Sequence, residues 1–233
     1  MSHQERINAK FDEDFGARYD YKVRATVPGY DFLHDMAAAL IAGHVPEDAH
    51  VLVAGPGIGK ELVTLGNRFE HWTFTAFDPS PDMLALTRKA VAEAGLQERV
   101  RLIQGTVENV SADLRCDAAV SVLVMHFLPD GGPKANFLNG LAARLAPGAP
   151  LILADMHGQR GETGVEGLYA CWKTYLRQID YDADTVDKEL EMLHFIPETR
   201  ICELLAGAGF DAIARFYQAF LFGGWFARKP ATR

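Results

Sequence analysis

Cysteine is scarce in this chain. Cys116, Cys171 and Cys202 are the three among 233 residues, widely spaced and with no Cys-x-x-Cys pair. An odd, scattered set gives no disulfide framework and points to a reducing compartment. Long apolar runs are missing as well: the longest mainly apolar stretch, Ala118 to Met125, is far too short to span a bilayer, and the polar segment from Met1 to Tyr21 lacks the apolar centre of a signal peptide. There is no excess of basic residues either. Twenty-three Lys and Arg face 31 Asp and Glu, for a net charge of -8, whereas nucleic-acid binders draw much of their affinity from clustered cations. Repeats and low-complexity segments are absent. These absences predict a soluble cytoplasmic protein with neither nucleic-acid nor membrane partners. What the chain does have is a hydrophobic fraction of 48% with 23% charge, enough for one folded domain with a sizeable core.

The periodicities predict alternating strands and helices. After a polar arm of about twenty residues, Phe32, Leu33, Met36, Ala37, Leu40 and Ile41 recur at helical spacing. Short strands are expected at 50–54, 74–77, 100–103, 117–123 and 151–154, with helices at 60–67, 81–94 and 136–145 between them. The strands are too apolar to alternate, as expected for a parallel sheet covered on both faces. Helices at about 165–178, 185–194 and 197–208 follow a Gly-rich stretch, and 212–217 and 220–227 read as two final strands. The expected organisation is an arm and helix over 1–48, then one domain over 49–233 with a helical insertion or cap at about 157–196.

Gly55, Pro56, Gly57, Ile58 and Gly59 join the first strand to the next helix. Glycines there let the chain turn sharply and let a ligand lie against the main chain. Asp78, nineteen residues after Gly59 and at the end of the second strand, can accept hydrogen bonds from both ribose hydroxyls of an adenosine ligand. A dinucleotide fingerprint needs a third glycine where this chain has Lys60, or, counted from Gly57, Leu62. The turn is therefore either a plain strand-to-helix connection or an adenosyl-cofactor site, and Asp78 favours the second.

The Gly-x-Gly-x-Gly form, with Phe77-Asp78-Pro79-Ser80-Pro81-Asp82-Met83, Gln104-Gly105-Thr106-Val107, Cys116-Asp117 through Pro129, and Leu145-Ala146-Pro147-Gly148, resembles the class I S-adenosylmethionine-dependent methyltransferases over residues 50–155. The resemblance implies a Rossmann-like, seven-stranded sheet, mostly parallel with the last strand antiparallel, helices on both faces and a small helical cap. It implies S-adenosyl-L-methionine as cofactor, held by Gly55, Pro56, Gly57, Gly59 and Asp78, with Pro79, Met83, Thr106 and Val107 beside the adenine. Two departures stand out: Val53 where the first strand often carries an acid, and Thr106 where the family usually has Asp. Thr26-Val27-Pro28-Gly29-Tyr30, Ala208-Gly209-Phe210 and the segment from Phe216 to Lys229 extend the likeness toward the bacterial carboxy-S-adenosylmethionine synthases. There Tyr30 would contact the cofactor, though a core tyrosine is an equal reading. The synthases' Asn after the fourth strand corresponds to Val122, placed beside the cofactor, and the Arg that holds their product's extra carboxylate corresponds to Leu204. Arg200, one turn earlier, is a possible substitute.

The implied activity is methyl transfer to a small-molecule acceptor, an in-line displacement in which the protein mainly aligns the partners. A synthase-like enzyme using prephenate and a non-catalytic adenosyl-ligand binder are the alternatives, and the family likeness makes a homodimer plausible. Candidate bases are His157, Asp155 and His126, with His194 in the cap, each of which also reads as a surface or capping residue. Asp155 and His157 lack an identifiable third metal ligand, so no metal is expected. Tyr169, Trp172 and Tyr175 read as the buried face of a helix or as the wall of an aromatic pocket.

Overall fold

The computed structural model describes residues 13–231. Its centre is a seven-stranded sheet: β1 (His50–Ala54), β2 (Thr73–Asp78), β3 (Val100–Gln104), β4 (Ala118–Val122), β5 (Pro150–Met156), β6 (Asp211–Ala219) and β7 (Phe222–Arg228). Their order is β3-β2-β1-β4-β5-β7-β6. β1 to β5 run parallel; β7 pairs antiparallel with both β5 and β6. The expected fold class is therefore observed. The last strand in sequence is inserted between β5 and β6, not placed at the edge.

Burial explains why these strands read as continuous apolar runs. Val51 and Val53 belong to one buried cluster and Leu52 and Ala54 to the other, so successive side chains feed the two faces in turn. Helices α3 (Lys60–Arg68) and α4 (Pro81–Glu93) cover the first face, and α5 (Pro133–Arg144) covers the second. α4 starts on sound local chemistry: Ser80 is its N-cap, accepting from Met83 N, and Pro81 opens the first turn.

The polar arm expected before residue 21 is corrected over its described part. Glu13–Thr26 is a helix, α1, running into α2 (Tyr30–Ala42), and Val23, Val27, Leu33 and Ile41 are buried in the same cluster as Val51 and Val53. Residues 1–12 of that arm lie outside the described residues. The stripe in α1 is weak locally, because among its described side chains, residues 18–26, Val23 and Thr26 alone are buried. Three further helices lie between β5 and β6 in the chain: α6 (Thr163–Gln178), α7 (Thr185–Leu190) and α8 (Glu198–Gly207). Trp172 of α6 is buried against Phe222 at 5.4 Å between ring centres and donates its indole N–H to the Thr26 carbonyl at 2.8 Å. It thereby fastens α1 to the cap. Trp172→Phe keeps the ring packing but strands that carbonyl, and we expect a loss of about 1–2 kcal/mol in chemical denaturation.

No helix among the described residues is long and apolar enough to cross a membrane.

Candidate active site

The strand order reverses between β1 and β4, and that switch point is where open α/β sheets leave a crevice beyond their strand ends. Gly55, Gly57 and Gly59 stand there with φ of 63°, 54° and 84°, a left-handed backbone that side chains resist. A Cβ on Gly55 would lie 2.5 Å from Val124 Cγ2. The turn is closed by Gly59 N–H donating to the Pro56 carbonyl at 2.7 Å, and Thr87 Oγ1 donates to the Gly57 carbonyl at 2.6 Å.

A cavity of about 320 Å³ opens above this turn. Of the residues expected to hold a cofactor, Gly55, Gly57, Asp78, Pro79, Met83, Thr106, Val107 and Val122 line it together. Pro56 and Gly59 shape the turn without lining the cavity. Tyr30 is set apart too: it is buried, edge-on to His34 at 4.5 Å, which matches its core reading. Tyr19 of α1 lines the cavity instead. The sequence signal for Tyr19 was hidden because nothing local marks α1 as the roof of the site.

Asp78 accepts a 2.8 Å hydrogen bond from Ser80 N–H, and a Gly57 N–H bond also favours its charged form. Burial outweighs both and pushes its carboxyl up to about 6. The charge absent at Thr106 returns two residues later: Glu108 lines the cavity and accepts from the Thr106 hydroxyl. Val53 lies wholly inside the sheet. A second carboxyl, Glu61 in the first turn of α3, is pushed by burial from 4.5 up to about 8. The folded state thus holds its proton more tightly than the unfolded chain, and this stability is fully present below pH 4.5 and lost as pH rises through 8. Glu61→Gln should flatten that decline, as measured by urea midpoints between pH 5 and 9.

A smaller cavity of about 110 Å³ adjoins the first, sharing Tyr19, Leu123 and Phe127 as walls. His126 and Trp172 line it. Trp172 therefore serves both readings of the aromatic stripe, as core and as pocket wall. The other two face elsewhere: Tyr169 donates to Asp187, and Tyr175 rests against Phe220.

The structure brings two of the three candidate bases together and sets the third apart. Asp155, 1% exposed at the end of β5, accepts from His126 Nδ1 and, at 3.0 Å, from His126 N–H. His157 lies away from both cavities, with Nε2 on the Gln218 side-chain oxygen at 3.0 Å and its ring against Trp225. Burial lowers its basicity. His157 is set apart from the other two because the chain turns off at a bridge to Ile196. His194 meets His126 through its backbone N–H, at 2.7 Å from the His126 carbonyl. Leu204 is buried in the core, and Arg200 pairs with Asp130 at 3.1 Å and Glu203 at 3.1 Å. Neither lines either of these two cavities, and the Arg200 guanidinium is already engaged by carboxylates of this chain.

Residues 51–148 match the family model described as a methyltransferase domain. That segment is an S-adenosylmethionine-dependent methyltransferase domain. This methyltransferase is 28% identical to the carboxy-S-adenosyl-L-methionine synthase of Chromohalobacter salexigens, over 96% of this chain and 84% of that one. It is 24% identical to the synthase of Salmonella arizonae, over 95% and 92%. Among solved structures it superposes on an O-methyltransferase family protein from Burkholderia thailandensis with a TM-score of 0.67 at 14% identity, covering 96% of this chain and 64% of that one. Human N-acetylserotonin methyltransferase in complex with S-adenosylmethionine gives 0.55 at 15%, covering 83% and 52%. The methyltransferase thus spans less than two thirds of each of those two solved chains.

Proposed function

We propose that this chain transfers a methyl group from S-adenosylmethionine, seated in the larger cavity, to a small molecule seated in the smaller one. The observation that carries this reading is the shared wall of Tyr19, Leu123 and Phe127, which sets a donor space directly beside an acceptor space. Bound there, the cofactor supplies an electrophilic methyl group on a sulfonium. The backbone at Gly55 and Gly57 accommodates it without a Cβ in the way, and Asp78 accepts from the ribose hydroxyls. Pro79, Met83 and Val107 pack on the adenine, and Thr106 with Glu108 faces its amino group. Val122 closes the floor. The cap formed by α1, α6 and α7 excludes water and aligns the acceptor. The same reading carries a cytoplasmic enzyme acting as a homodimer, which sedimentation velocity would test.

A second reading is synthesis of a carboxylated cofactor, supported by the names of the two bacterial relatives. The core position of Leu204 and the Arg200–Asp130 pair speak against it. Calorimetry combined with mass spectrometry of ligand released from purified protein separates the two. Stoichiometric binding of S-adenosylmethionine and its demethylated product supports methyl transfer. Recovery of a carboxymethylated form supports the second reading, and binding of neither sinks both.

A further inference from the structure

The smaller cavity narrows its occupant further than methyl transfer alone requires. Its walls are mainly apolar, with Val23, Val27, Met156, Trp172, Leu190 and Phe222 among them. The charged residues lining it, Lys22 and Glu189, are paired with each other, and the Thr26 hydroxyl is engaged by the Lys22 carbonyl at 2.9 Å. Beside the Tyr19 hydroxyl, His126 is a polar group lining the space: its Nδ1 is on Asp155, while Nε2 has no protein partner among the described residues. Asp155 already accepts the backbone N–H groups of His126 and Met156, the latter at 2.7 Å. An acceptor-only carboxylate so placed fixes the imidazole tautomer, with the proton on Nδ1 and the lone pair on Nε2.

The turn carrying His126 is held from every side. Leu123 adopts φ 59° and donates its N–H to the Ala154 carbonyl at 2.8 Å. The buried Lys134 ammonium donates to the Met125 carbonyl at 2.6 Å, and His194 N–H donates to the His126 carbonyl. A ring fixed this firmly, with one open nitrogen toward an apolar space, is preorganised to take a proton. The volume sets an upper size: an apolar cavity of ~150 Å³ holds a benzene, and this one, at about 110 Å³ and adjoining the larger cavity at Tyr19, Leu123 and Phe127, limits its occupant to about one ring that reaches into the shared space.

Resting on the methyl-transfer reading above, we infer that the acceptor is an uncharged hydroxyl compound of about one ring, methylated on oxygen with His126 as general base and Asp155 as its positioning residue. The acceptor oxygen bonds to the methyl carbon as the carbon–sulfur bond breaks and its electron pair stays on sulfur. The hydroxyl proton passes to Nε2, the imidazolium is stabilised by the Asp155 carboxylate, and Nε2 then releases the proton to water. A dianionic acceptor would meet Glu189 and no unpaired cation among the described lining residues.

The test uses purified protein, S-adenosylmethionine labelled in its methyl group, and 4-methylphenol as the probe, with anionic 4-hydroxybenzoate beside it. Label should appear in the aryl methyl ether of the first, and at least about tenfold more slowly in the second. His126→Gln should lower kcat by ~10²–10⁴, with KM and calorimetric cofactor affinity held within about twofold. Asp155→Asn should lower kcat and shift the ¹⁵N signature of His126 away from the Nδ1–H tautomer, which a merely structural role would not do. Cofactor binding without labelling of 4-methylphenol, a preference for the anion, or an undiminished kcat in His126→Gln overturns the inference. Failure of the wild type to bind the cofactor overturns the methyl-transfer reading instead. Should Asp155→Asn not fold, His126→Gln, whose main-chain contacts persist, still decides.

Discussion

Asp78→Ala is expected to weaken S-adenosylmethionine binding by ~10²–10⁴-fold, since two hydrogen bonds to a charged group are worth about 1.5–3 kcal/mol each. The carboxylate sits at the end of β2 with its orientation already set by Ser80 N–H. Nothing else lining the cavity replaces it at that strand end, because Glu108 lies beyond β3 next to Thr106. Its ionisation adds a second signature. Burial raises this carboxyl to about 6, and the ribose hydroxyls need the ionised form as acceptor. Affinity in the wild type should therefore fall as pH drops through 6, whereas Asp78→Asn, weak throughout, should show no such step. Isothermal titration calorimetry between pH 5 and 8 measures both. An Asp78→Ala protein that binds within threefold of wild type would remove Asp78 from the cofactor site.

Gly55→Val is expected to abolish measurable cofactor binding and to lower stability by about 2–5 kcal/mol, from the cost of a left-handed residue plus an overpacked contact. The backbone at Gly55 has φ 63°, and a Cβ would press within 2.5 Å of Val124 Cγ2. Val124 is branched at its Cβ and borders the cavity, so it cannot swing away without reshaping the wall. Gly95 is the internal control. It also has positive φ, at 70°, but a Cβ there meets nothing within 4 Å. Gly95→Ala should cost about 1 kcal/mol and leave binding intact. Equal binding losses in the two variants, by calorimetry alongside thermal melts, would mean that the turn acts through global stability alone.

Both predictions rest on residues that are legible in the sequence, and the reason is local. A strand, a glycine turn and a helix within 50–68 declare themselves through side-chain type and spacing, and Asp78 is placed by the end of the next apolar run. The expected cofactor residues cluster at strand ends, so finding the strands found Gly55, Asp78, Thr106 and Val122 among the residues lining the cavity. Pro56, Gly59 and Tyr30 were the exceptions. The first two act on backbone shape and the third on core packing, distinctions that depend on which way a side chain points.

The acceptor side was far less legible. His126, Asp155 and His157 look alike as isolated polar residues after strands. His126 and Asp155 are 29 positions apart, and Arg200 is 70 from Asp130. Only the pairing of β4 with β5 brings the first two together, while the bridge to Ile196 carries His157 off toward Gln218 and Trp225. Tyr19 was missed for the same reason, since α1 becomes a roof only by packing on a sheet that begins at His50.

The sequence by itself determined the layered α/β class, the order of the strands along the chain, the glycine turn and its acidic partner, because periodicity, glycine and a strand-end carboxylate act over a few residues. The tertiary structure decided where β7 inserts, which histidine lines the smaller cavity, what roofs the larger one and which arginine is already paired. Those outcomes are set by contacts between segments far apart in sequence, where each side chain's direction follows from the whole sheet.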